Sequence, residues 1–211
     1  MTTVRANIAI SLDGYVAGPN QSEENPIGEG GGDLHSWMFP LKVWRESHGE
    51  EGGEVNASSQ VVEEWFGNVG AYIMGRNMFG PVRGDWGDGS WQGWWGDDPP
   101  YHQPVFVLTH HEREPLTLSD TTFTFVTEGI DSALGQAREA AGSKDVVIAG
   151  GAKAIQQYLA AGQLDELELN VVPLLLRAGE RLLENVGDLK LEQLRAVEAP
   201  GVAHLKYRVV R

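Results

Sequence analysis

The sequence predicts an α/β domain built on a mostly parallel sheet, with helices on both faces and an antiparallel hairpin at the C-terminal end. Three observations predict it. Segments of strand and helix character alternate through the middle of the chain, as in a parallel sheet covered on both sides. The last two strand-like segments, Leu191 to Glu198 and Ala203 to Val210, are joined across Ala199-Pro200-Gly201-Val202, a hairpin pattern. Glycine is abundant, 27 of 211 residues, about twice ordinary usage, and it clusters at specific places, among them the strand ends at Gly75 and Gly150-Gly151. No repeat or linker interrupts residues 1–211, so one domain is expected.

Val4 to Ile10 reads as the first strand, ended by Ser11-Leu12-Asp13-Gly14. Gly18 to Gly32 is an acidic, glycine-rich loop without an apolar period. Asp33 is placed to cap a helix carrying Leu34, Trp37, Met38 and Leu41 at three-to-four spacing. A polar gap from His48 to Asn56 precedes a second helix from Ser58, with Val61, Val62, Trp65 and Phe66 on its buried side. Ala71 to Met74 is a short apolar strand running into Gly75-Arg76-Asn77. Trp86 to Tyr101 is a loop with Trp86, Trp91, Trp94 and Trp95 among glycines and aspartates. Val105 to Thr109 and Phe123 to Val126 are strands, and Asp131 to Ala141 is an alanine-rich helix. Asp145 to Ala149 is a buried-type strand that meets Gly150-Gly151 and a helix from Ala152 to Ala161. Glu166 to Val172 is the last strand before the hairpin.

Composition narrows the partners. Lys and Arg total 16 against 30 Asp and Glu, a formal net charge of −14. Such a surface repels phosphate backbones and anionic lipids, so neither nucleic acid nor a membrane is expected. The chain has no cysteine, which removes disulfides, thiolate zinc sites and cysteine nucleophiles. The first residues lack the apolar run of a secretion signal, and no stretch is long enough to span a bilayer. A cytoplasmic protein is expected.

Three strand-to-helix junctions suit an anion. At Gly150-Gly151-Ala152-Lys153-Ala154-Ile155 a tight turn precedes a helix start, where free amides and the helix dipole favour pyrophosphate; a plain turn is the alternative. At Gly75-Arg76-Asn77 an arginine stands at a similar junction. Thr109-His110-His111-Glu112-Arg113 is a local basic spot in an acidic chain, of the kind that holds the extra phosphate of NADPH. A metal held by His110 and His111 is not expected, because adjacent side chains on an extended chain diverge. Ligands of open α/β sheets bind outside the strands' carboxyl ends, so the three junctions together suggest one elongated, phosphate-bearing ligand.

Several segments resemble the dihydrofolate-reductase-like family. They are Ile10-Ser11-Leu12-Asp13-Gly14-Tyr15-Val16-Ala17-Gly18-Pro19, Met74-Gly75-Arg76, Val105 to His110, Val147 to Ala152, and Leu159 to Leu167. The nearest likeness is to stand-alone proteins similar to the C-terminal reductase domain of the riboflavin-biosynthesis deaminase-reductase. The resemblance runs in order through nearly the whole chain.

It implies an NADPH-dependent oxidoreductase that transfers hydride to a small heterocycle, pterin-like or pyrimidine-like, and a homodimer meeting through the C-terminal hairpin. It places Ala9, Val16 and Ala17 beside the nicotinamide and Gly75, Arg76 and Asn77 at the cofactor phosphates. Thr109, His110 and His111 fall around the adenosine 2′-phosphate, and Gly150 to Ile155 on the pyrophosphate loop, where the family often has a cis peptide between paired glycines. Asp13 has two readings, a group that acts on substrate or a turn stabiliser. Asp33 is either the carboxylate that faces the pterin in dihydrofolate reductases or an N-cap. Trp37 and Phe39, with the loop tryptophans, are candidate walls for a flat substrate. Trp37 also fits the core, and the loop fits a subunit contact.

Two departures stand out: the tryptophan-rich insertion, and Arg177 where the family tends to have glycine, which predicts a rebuilt turn. No fused deaminase zinc motif is present, so the chain is not expected to perform both riboflavin-pathway steps. Genuine dihydrofolate reductase activity, a nucleotide-binding homologue without turnover, and an interaction protein using the tryptophan loop remain open at this stage.

Overall fold

The computed structural model describes residues 2–80 and 84–210. In chain order the elements are β1 (Val4–Ser11), β2 (Tyr15–Ala17), a 3-10 turn (Gly31–His35), α1 (Lys42–Ser47), α2 (Ala57–Phe66), β3 (Val69–Gly75), α3 (Arg76–Phe79), β4 (Val105–Leu108), β5 (Leu116–Leu118) and β6 (Thr121–Val126). Then follow α4 (Ile130–Ala141), β7 (Asp145–Gly150), α5 (Ala152–Ala160), β8 (Glu166–Val172), β9 (Glu180–Arg181), β10 (Lys190–Ala199) and β11 (Val202–Val210).

Nine strands form one sheet in the order β10-β11-β8-β1-β7-β3-β4-β6-β5. From β8 to β6 every neighbouring pair is parallel. The β10–β11 hairpin closes one edge antiparallel, and β5 does the same at the other. The predicted mixed α/β fold and its C-terminal hairpin are therefore present. β2 and β9 make a separate two-stranded sheet.

Side-chain alternation decides what each face carries. Ala71 and Ile73 of β3, with Val146 and Ile148 of β7, pack against Ala133, Leu134 and Ala137 of α4 and Ile155, Tyr158 and Leu159 of α5. The intervening Tyr72, Met74 and Val147 join Phe79, Val105, Val107 and Phe123 on the opposite face. Farther along that face, Leu34, Trp37, Met38, Leu41 and Val62 cover Ala9, Val172 and Val202. Helices thus lie on both faces. Truncating a fully buried residue such as Ile148 to alanine costs about 2–5 kcal/mol.

α2 is tied to the sheet by a buried polar chain. Ser58 Oγ lies 2.9 Å from His204 Nε2, and His204 Nδ1 lies 2.6 Å from Asn170 Oδ1. His204 and Asn170 also face each other in the β8–β11 register. Burial pushes the His204 imidazole down to about 4.

The structure corrects three expectations. Asp33 does not cap a helix: it lies inside the 3-10 turn, which Gly30 precedes, and it is exposed. The spacing of Leu34, Trp37, Met38 and Leu41 comes from consecutive turns, with Met38 N–H bonded to the His35 carbonyl and Leu41 N–H to Met38. Pro40 lacks the amide a continuous helix needs there. Phe66 is half exposed at the end of α2, not buried. Arg177 takes the left-handed region, φ +67°, so the turn after Pro173 keeps the conformation expected of glycine. The tryptophan loop packs on its own chain, with Trp86, Trp91 and Trp95 against the Phe79–Phe123 cluster. Among the described residues no helix is long and apolar enough to cross a membrane.

Candidate active site

The carboxyl ends of β1, β3, β4, β6 and β7 open into a cavity of 540 Å³. The sheet order sets neighbours that chain order conceals. β7 lies between β1 and β3, so the Gly150 junction is next to the Gly75 junction, and that in turn is next to the loop after β4. Gly150 stands at φ +128° and its peptide bond to Gly151 is cis; an L side chain rarely takes such a φ.

Most residues expected to contact a cofactor line this cavity. Ala9 comes from β1, and Val16 and Ala17 from β2. Gly75, Arg76 and Asn77 follow β3, and Thr109, His110 and His111 follow β4. Gly150, Gly151, Ala152, Lys153 and Ala154 complete the set. Ile155 does not line it. One residue beyond Ala154 on α5, its side chain turns into the core and is fully buried.

Two helices begin at the wall. α5 starts after Gly151 and α4 after Gly129, and neither has a side-chain cap. Their first-turn N–H groups and dipoles point positive partial charge at the cavity. Arg76, Lys153, His110 and His111 add cationic or protonatable groups, whereas Glu180 is the one carboxylate among the described lining residues. In a chain of net charge −14, that is a local reversal of sign. The loop after β4 is shaped by Thr109, whose buried hydroxyl accepts the N–H of His111 at 3.1 Å.

Arg76 is held by aromatic packing. Its Cζ lies 3.5 Å from the centroid of the Trp86 ring, and the Trp86 indole N–H donates to the His111 carbonyl at 2.8 Å. Burial, with Arg113 nearby, pushes the Arg76 guanidinium pKa below its ordinary value.

Residues 2–204 match the model of the RibD C-terminal domain. The chain belongs to that family. Solved structures place this RibD C-terminal domain in the dihydrofolate-reductase-like fold. A Shewanella sp. PV-4 protein assigned to riboflavin biosynthesis is 23% identical, with 100% of each chain covered and a TM-score of 0.67. The RibD of Acinetobacter baumannii is 17% identical with a TM-score of 0.58, the match covering 100% of this chain and 59% of that one. The dihydrofolate reductase of Enterococcus faecalis, solved with NADP(H), is 13% identical over 98% of this chain and 96% of that one, TM-score 0.53. No curated protein matches the chain.

In this RibD C-terminal domain the expected substrate-side residues lie elsewhere. Asp13 is outside the cavity lining and bonds the Ser11 hydroxyl and the 176–177 backbone. Asp33 is exposed and also outside it. Trp37 is core: its ring meets Trp65 and His204 edge-on, and its N–H donates to the Leu34 carbonyl. Phe39 is 48% exposed and packs on Trp44. None of the four forms a cavity wall.

Sequence reading passed over His35, which does line the cavity. It is half-buried, its Nδ1 is buried without a partner, and burial lowers its pKa. Being two residues beyond Asp33, it was legible only once the 3-10 turn was known. Thr127 and Gly129, at the start of α4, were missed as well. No glycine pair marks that junction.

Proposed function

We propose that this chain is an NADPH-dependent reductase that delivers hydride to a small heterocycle, pyrimidine-like or pterin-like. The carrying observation is one cavity that joins two uncapped helix starts, the Arg76 guanidinium and the His110–His111 imidazoles to the apolar wall of Ile8, Ala9, Val16 and Ala17. β1 and β4 are separated by β7 and β3, about 14 Å across the sheet. That span suits an elongated dinucleotide, phosphates toward Arg76 and the helix starts, flat ring toward β1 and β2. The NADP(H) in the Enterococcus faecalis neighbour and the uracil reductase named for the Thermotoga maritima neighbour support the reading.

Bound there, the reduced nicotinamide would supply the hydride. The protein supplies position and electrostatics. The amides of Gly151, Ala152 and Lys153 hold the pyrophosphate, and Arg76 with His110 and His111 holds the adenosine phosphate. Val16 and Ala17 exclude water from the ring. His35, whose pKa burial lowers, lines the same cavity and would donate an imidazole N–H to the polar edge of the heterocycle. The nine-stranded sheet takes strands from both ends of the chain, which supports reading residues 1–211 as one domain.

Titration with NADPH and NADH, followed by nicotinamide fluorescence, tests the proposal. Tight NADPH binding with much weaker NADH binding is expected, and then NADPH oxidation by a phosphoribosylaminouracil, the substrate class named for the Thermotoga maritima neighbour, or by dihydrofolate. Binding of neither coenzyme overturns it. Binding without oxidation by any heterocycle would mark a nucleotide-binding homologue.

A further inference from the structure

The Trp86 indole touches two of the cavity's junctions at once. Its ring face carries the Arg76 guanidinium, and its N–H holds the His111 carbonyl. Arg76 follows β3 and His111 follows the neighbouring strand β4, so one side chain bridges both loops. The indole is itself seated edge-on against Phe79 and Phe125, with centroids 5.8 and 4.9 Å away.

The other contacts of Arg76 are weak. Nη1 reaches the Gly80 carbonyl and Nη2 the Asp85 carbonyl, both at 3.4 Å, and Nε is buried without a partner. Among the described residues Arg76 has no carboxylate partner. The stack is therefore its firmest restraint. Stacking uses the face of the guanidinium and leaves its in-plane donors free: with one hydrogen on each Nη engaged, one on each remains for a ligand. Gly80 makes room for this arrangement, since a Cβ there would lie 2.7 Å from Arg76 Nη1 and 3.0 Å from Trp91 Nε1. Arg113 steadies the loop, donating from Nη2 to the carbonyls of Gly89 and Trp91.

We propose that Trp86 is the positioning residue for coenzyme choice: by fixing Arg76 against the His111 loop it builds the subsite that accepts the 2′-phosphate of NADPH. This rests on the NADPH reading above. An arginine left to rotate loses much of a phosphate contact to ordering entropy, whereas one already stacked loses less. NADH lacks that phosphate and gains nothing from the arrangement. A tryptophan that served only packing would affect both coenzymes alike.

The experiment measures NADPH and NADH dissociation constants for the full chain, Trp86→Ala and Trp86→Leu. Leucine keeps apolar cover over Phe79 and Phe125 while removing the ring face and the N–H, so it serves where the alanine variant fails to fold. The expected result is NADPH affinity lowered about tenfold or more, the scale of a hydrogen bond to a charged group, with NADH affinity unchanged. Equal weakening of both coenzymes, or no weakening of either, overturns the assignment of Trp86. If the unmodified chain binds neither coenzyme, the NADPH reading itself falls and takes the inference with it.

Discussion

The carboxylate of Asp13 accepts the backbone N–H of Arg177 at 2.7 Å, and Arg177 stands at φ +67°. The second oxygen of Asp13 accepts the Leu176 N–H at 3.1 Å and the Ser11 hydroxyl at 2.6 Å. Ser11 Oγ in turn accepts the Tyr15 N–H. One carboxylate thus pins the start of β2 to a left-handed turn about 160 residues later in the chain. Three of its acceptor positions are spent on structure.

Replacing Arg177 with glycine is therefore expected to stabilise the protein. The left-handed region costs a non-glycine residue about 1 kcal/mol, partly offset by the greater unfolded-state freedom of glycine, for a net gain of about 0.5 kcal/mol. A urea denaturation midpoint that fails to rise refutes this.

Asp13→Ala should lower stability and leave NADPH affinity unchanged. The Ser11 hydroxyl first, and then the Arg177 and Leu176 amides, hold the Asp13 pKa below 3.8. A depressed carboxylate pKa stabilises the fold above the unfolded value and loses that contribution as pH falls through the folded one. The acid limb of stability below pH 3.8 should be shallower in Asp13→Asn. Loss of coenzyme binding in Asp13→Ala would instead return Asp13 to the site.

His204 predicts a second pH effect of a different origin. Its folded pKa of about 4 lies below the ordinary 6.5, so the unfolded chain takes up a proton that the native one refuses. Stability should be level above pH 6.5 and fall between 6.5 and 4, by an amount on the order of 2 kcal/mol. The His204 ring resonances should show no protonation until near pH 4. Titration near 6.5 would mean that the buried Ser58–His204–Asn170 chain is not formed.

For His35 the expectation is a response to coenzyme. Its ring resonances should shift when NADPH is added, while those of His48 and His102, both exposed and outside the cavity lining, stay in place. A His35 unchanged both at saturating NADPH and on addition of the heterocycle is removed from the site.

Gly150→Ala tests the junction after β7. At φ +128°, with Met78 Sδ 3.4 Å from the added Cβ, the substitution should cost about 1–3 kcal/mol and weaken NADPH and NADH alike. Equal loss is expected because the pyrophosphate is common to both coenzymes. A selective loss of NADPH would shift the 2′-phosphate contact to this junction.

The apolar run from Ala71 to Met74, the helical spacing in α4 and the glycine pair before α5 are local patterns, and each is legible in the sequence. So are the three anion-suited junctions, because helix starts and strand ends are made by neighbouring residues. The family likeness rests on those same segments. What failed to show were the two- and three-residue strands β2, β5 and β9, too short to display a period, and the 3-10 turn, whose burial spacing imitates a helix.

The amino-acid sequence by itself determined the α/β class, the hairpin and the residues around a candidate phosphate site, since these follow from periodicity, turn chemistry and charge within short windows. Tertiary structure decided the rest. Insertion of β7 between β1 and β3 put the Gly150 and Gly75 junctions side by side. Across a sequence separation of 163, Asp13 met Leu176 as a turn support, and His35, not Asp33, came to line the cavity. Trp86 bridged Arg76 and His111 only because β3 and β4 are sheet neighbours. Those outcomes depend on contacts between distant segments, whose pairing is set by the packing of the whole sheet and by no local window.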